Sequence, residues 1–79
     1  MNIALVVDPL ERAPEYVRWV ATMRTGLERA GYRVRLITCP APGELVVLTS
    51  EGQRHLAPDA LMVSPGSEVA ECLSLLATL

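Results

Sequence analysis

Four residues of this chain, Asp8, Ser64, Gly66 and Ser67, have types and positions that point to binding chemistry. Asp8 ends an apolar run, and Glu11 and Arg12 follow it in the next loop. A carboxylate there would hold a metal-bound phosphate or a cationic amine. The plainer alternative is an Asp that organises the Asp8-Pro9 turn by accepting backbone N–H bonds. Ser64-Pro65-Gly66-Ser67 stands before a helical pattern, and free N–H groups at a helix start attract anions. The alternative is a simple capping turn. The segment is neither GxGxxG nor a P-loop, and the chain contains no Lys to complete one.

Other reactive residue types form no catalytic set. His55 is the only histidine, and no nucleophile or orienting carboxylate near it in sequence makes it a general base. It reads as a solvent-facing residue. Cys39 precedes Pro40, where a reactive thiolate is conceivable, but a small apolar residue is the commoner use of such a cysteine. Cys72 falls on an apolar helical stripe. Neither cysteine follows a CxxC or Cys/His spacing, so no metal or cofactor is implied.

The elements that must carry these residues can be traced from the N-terminus. Ile3-Ala4-Leu5-Val6-Val7 is continuously apolar, the habit of a parallel strand buried on both faces. Pro14 to Ala30 reads as a helix, with Pro14 in the first turn and a stripe of Tyr16, Val20, Met23, Leu27 and Ala30. Gly31 is its stop, and Gly26 within it suggests a close approach to the sheet. Tyr32 to Cys39 predicts a second strand, with Val34 and Leu36 on one face and Arg33, Arg35 and Ile37 on the other. Leu45–Thr49 and Gln53–Leu56 flank Ser50-Glu51-Gly52, which predicts a β-hairpin at the sheet edge. Asp59–Val63 is the last core strand, and a helix from Glu68 to about Thr78 follows, with Ser67 as its N-cap.

The expected fold is a single small Rossmann-like α/β domain over residues 1–79. It has a three-strand parallel core, an edge β-hairpin and two helices. Ligands of open α/β sheets sit beyond the carboxyl ends of the strands, where Asp8 and the Ser64–Ser67 turn fall. Two helices are too few to seal both faces of the sheet. Val17, Trp19 and Leu75 lie off the main helical stripes; they could join an uncovered surface or simply sit at the stripes' margins.

Composition bounds the partners. The chain is 51% hydrophobic in only 79 residues, more apolar surface than so small a body hides easily, so a homodimer or a contact with another protein is expected. A net charge of −2 and seven scattered arginines argue against nucleic acid. The apolar stretches are too short for a membrane span, and the N-terminus lacks the basic start of a signal peptide. A cytoplasmic chain with reduced thiols is expected.

The order of features resembles the N-terminal domain that precedes the ATP-grasp fold in bacterial glutathione synthetase-like ligases. Ile3-Ala4-Leu5-Val6-Val7-Asp8-Pro9-Leu10, Glu28-Arg29-Ala30-Gly31-Tyr32-Arg33-Val34, Gly43-Glu44-Leu45-Val46-Val47-Leu48, Glu51-Gly52-Gln53-Arg54 and Asp59-Ala60-Leu61-Met62-Val63 carry the resemblance. The same outline also looks like the opening of many glycosyltransferases and other Rossmann-like domains. After Val63 the chain departs from the ligase pattern, and these 79 residues contain no ATP-grasp domain, so the resemblance transfers no ATP- or metal-binding residue. It implies a Rossmann-like fold and a non-catalytic accessory or oligomerising role. The alternatives are a small-molecule or anion-binding protein or enzyme using the strand-end crevice, and a fragment of a larger ligase or transferase.

Overall fold

A computed structural model describes all residues from Met1 to Leu79. The elements are β1 (Asn2–Val6), α1 (Pro14–Arg29), β2 (Arg33–Ile37), β3 (Leu45–Leu48), a single 3-10 turn (Glu51–Gln53), β4 (Leu61–Met62) and α2 (Val69–Ala77). The strands form one sheet in the order β2-β1-β3-β4, and every neighbouring pair is parallel. The α/β class, the parallel core and the two helices match the sequence expectation. No helix is long and apolar enough to cross a membrane.

The edge hairpin is absent. Leu45–Leu48 lies inside the sheet, paired in parallel with β1 on one side and β4 on the other. Its continuous apolarity is the same two-sided burial signal that marks β1, and Val46, Val47 and Leu48 are buried. The segment read as the returning strand is instead held in a 3-10 turn by a capping box. Ser50 Oγ accepts from Gly52 N–H, and Gln53 Oε1 accepts from the N–H groups of Thr49 and Ser50. Ser50-x-x-Gln53 is the spacing of that motif, and it outweighs the weak extended preference of Gln53–Leu56.

Helix α1 ends as expected. Gly31 is left-handed at φ 102°, Gly31 N–H bonds Glu28 O, and Tyr32 N–H bonds Leu27 O at 3.1 Å. This is a Schellman stop, and Tyr32 and Leu27 belong to the same apolar cluster. Helix α2 begins differently from expectation. Ser67 closes a turn by bonding its N–H to Ser64 O, with Gly66 at φ 91°, the geometry of a type II turn with Pro65 leading. One extended residue is then needed before the helix, so Glu68 takes the N-cap position and makes no side-chain cap bond.

Both helices cover the same face. Val20, Met23 and Leu27 of α1 and Cys72 and Leu76 of α2 pack with Ile3, Leu5, Val34, Val47 and Val63 into one core. Gly26 is the point of closest approach, but its neighbour is α2 rather than the sheet. A Cβ built there would lie 2.6 Å from both γ-carbons of Val69. The opposite face holds a smaller cluster, Ala4, Val6, Val46 and Leu48, backed by Ile37, Met62, Ala57 and Ala60 and by no helix. Of the residues off the helical stripes, Trp19 packs against the core, while Val17 and Leu75 stay exposed on the helix side.

Candidate functional site

Strand order reverses between β1 and β3, because the chain leaves β1 toward β2 and returns on its other side as β3. In open α/β sheets this switch point opens a crevice at the strand carboxyl ends. Here a hydrogen-bonded chain closes the base of that crevice. Asp8 N–H donates to Tyr16 Oη at 2.9 Å, Tyr16 Oη lies 3.0 Å from Thr49 Oγ1, and Thr49 O–H donates to Val6 O at 2.8 Å. Thr49 has one proton and gives it to Val6 O, so the proton shared with Tyr16 must come from tyrosine. The chain therefore runs one way and ties α1 and β3 to the end of β1.

Above it lies a cavity of about 250 Å³ lined by Asp8, Glu11, Tyr16, Thr49, Ser50, Glu51, Met62 and Pro65. It holds three carboxylates and no basic side chain, so its electrostatics favour a cation over an anion. The carboxylates are already engaged. Asp8 Oδ1 accepts from Leu10 N–H at 2.9 Å, Glu11 Oε1 accepts from Ala13 N–H at 3.0 Å, and Glu51 pairs with Arg54 at 3.2 Å. Asp8 thus makes the turn-organising bond that its Asp-Pro position suggests.

Of the four candidate residues, only Asp8 lines this cavity. The Ser64–Ser67 turn contributes Pro65 to the lining, while Ser64, Gly66 and Ser67 lie outside it. Ser67 serves the fold through its carbonyl, which accepts from Trp19 Nε1–H at 2.8 Å. His55 is exposed on the crossover between β3 and β4, away from the crevice lining. Cys39 is exposed and Cys72 buried, both as free thiols, and burial pushes the Cys72 thiol up from its ordinary pKa. Tyr16 and Thr49 were not singled out by the sequence as site residues. They are 33 positions apart, and each also fits a plain packing role.

Larger openings lie on both sides of the sheet: one of about 580 Å³ runs along α1 on the helix side and shares Asp8, Glu11 and Tyr16 with the small cavity, adding Arg24 and Leu36 among others. A cleft of about 440 Å³ is lined by the Pro40–Pro42 connection, by Leu45 and Val46, by the Leu56–Leu61 stretch and by Leu79. Beside it a groove of about 590 Å³ is lined by Asn2, Ala4, Arg33, Arg35, Gly43 and Glu44, among others. Arg35 and Glu44 form an ion pair there. Leu56 and Leu79 are exposed, and the cleft lining is mostly apolar.

No protein-family model matches this chain, and neither a curated protein nor a solved structure matches it.

Proposed function

We propose that this chain is a non-catalytic accessory domain that works by associating through the helix-free face of its sheet. One observation carries the reading: an all-parallel sheet has both of its helices on the same face. Parallel sheets are almost always covered on both sides. Here two irregular connections partly screen the second face, and an apolar cleft opens between them at the amino ends of β3 and β4. The resemblance to a pre-ATP-grasp domain supports the same role, because such a domain serves a catalytic unit without supplying its chemistry. The two free thiols fit a reducing, cytoplasmic setting.

The strand-end crevice supports a binding role less well. Its carboxylates are engaged locally, and no nucleophile–base pair is assembled in it.

Sedimentation velocity across micromolar to millimolar concentration tests the proposal. Reversible association is expected, with amide exchange protection gained along Asn2–Val6, Pro40–Val46 and Leu56–Leu61. A clean monomer at every concentration, or protection confined to α1 and α2, would overturn it.

A further inference from the structure

We infer that the outer edge of β2 accepts an extended segment of another protein as a fifth strand, one whose side chains alternate between acidic and apolar. This site is separate from the helix-free face and does not depend on association there. β2 and β4 are the two edges of the sheet, and β4 is only two residues long. The five residues of β2 therefore form the one edge long enough to template a strand. Arg33 N–H donates to Met1 O, and Ile37 O accepts from Val7 N–H, so Arg33, Arg35 and Ile37 direct their backbone groups at β1. In a parallel ladder the intervening residues face the other way. The N–H and C=O groups of Val34 and Leu36 thus point outward, and no turn or loop of the chain bonds to them.

The surroundings of that edge differ between its two faces. On the helix side, a groove of about 580 Å³ runs between α1 and β2. Leu36 lines it from the strand and Val17 and Ala21 from the helix, and Leu36 and Val17 are 39% and 55% exposed. An added strand lies about 4.8 Å beyond β2 and sets every second side chain over this groove. An apolar side chain there covers the exposed parts of Leu36 and Val17. The groove also carries Asp8, Glu11 and Glu28 against Arg24 alone, so it rejects an acidic side chain.

Arginine dominates the other face. Arg35 is level with Ala4 of the helix-free cluster, and Arg33, two residues earlier, shares its side. Arg35 is held by Glu44, whereas Arg33 has no ion-pair partner within the chain. An acidic side chain on that face meets the free guanidinium. Slipping the added strand by one residue exchanges its faces and sets acids against the groove's carboxylates. Backbone bonds to Val34 and Leu36 supply the attachment, and the alternate side chains supply the selection. The same charges disfavour a second copy as the occupant. β2 paired with itself about a two-fold axis places Arg33 and Arg35 of both chains on one face of two adjacent strands, where like charges repel.

Peptide titration tests this. The probe is an end-blocked peptide of alternating Glu and Leu, long enough to span β2, with amide exchange read residue by residue. Saturable binding is expected, with protection gained at Val34 and Leu36. An N-methylated copy keeps the charges but has no N–H to donate, and should bind at least about tenfold more weakly. Arg33→Glu and Val17→Glu change exposed residues, one on each face, and circular dichroism can confirm that each variant folds. Each should also weaken the Glu–Leu peptide about tenfold or more. Equal binding by the N-methylated copy, or by a peptide with Glu and Leu in separate blocks, would overturn strand addition. So would a Glu–Leu peptide that leaves Val34 and Leu36 unprotected, which would make Arg33 and Arg35 guards of a closed edge. Protection of these two amides in the chain alone as its concentration rises would give the edge to a second copy and overturn the acidic partner. None of these outcomes bears on the helix-free face, whose association is read by sedimentation and along other segments.

Discussion

Tyr16 and Thr49 illustrate how a polar pair at a strand end can be structural. Their hydroxyls satisfy Asp8 N–H and Val6 O, and Thr49 is fully buried. Thr49→Val would strand a buried carbonyl and the tyrosine proton, at a cost of about 1–3 kcal/mol in urea unfolding, and Tyr16→Phe should cost about 1 kcal/mol. Their double-mutant cycle should show coupling of about 0.5–1.5 kcal/mol, and full additivity would count against the directed chain. Asp8 was legible because Asp-Pro at a strand end has few local uses, whereas this pair is invisible until β1 and β3 are placed side by side. The cysteines give a second residue-scale expectation. Cys39 should react with a thiol reagent at once in the native protein, and Cys72 only after unfolding. Because burial raises the Cys72 pKa, the unfolded chain loses that proton first as pH rises. Stability from this group is therefore complete below the ordinary thiol pKa and declines above it, at most ~1.4 kcal/mol per pH unit. A Cys72→Ala variant, although less stable, should lack that alkaline slope.

Packing between elements turns on Gly26 and Val69. Alanine in a helix interior normally gains up to ~1 kcal/mol over glycine. Here the added methyl would overlap a β-branched side chain with little χ1 freedom. Gly26→Ala should therefore destabilise by about 1–2 kcal/mol, and Val69→Ala in the same chain should relieve part of that loss. A stabilised Gly26→Ala protein would contradict the close crossing. The helices, their boundaries to within a residue or two, and all four strands were legible from periodicity and from proline and glycine placement. The placement of β3 was misread: Leu45–Leu48 is as apolar as β1, yet a glycine-containing turn after it suggested an edge hairpin. The partner of Gly26 was also out of reach, since sequence alone shows that a helix is approached closely and not by what.

For the molecule as a whole, the folded surface is 4990 Å² against about 12,500 Å² for the unfolded chain, so folding removes only about 60% of it. A monomer of this size has a narrow margin of stability, and burying a second face would widen it by mass action. The melting temperature should accordingly rise by about 3–6 °C for each tenfold increase in concentration once the dimer predominates. A melting temperature independent of concentration would contradict association in that range.

Trp19 is the only tryptophan in the chain, and its indole N–H is fixed on the Ser67 carbonyl at the entrance to α2. Its ring packs against the helix-side core, 6.0 Å from that of Tyr16. The protein thus carries its own fluorophore at the seam between its two helices, on the side away from the proposed interface. Emission from this site reports the docking of α2 and is largely blind to dimerisation, so folding and assembly can be followed as separate signals in one sample.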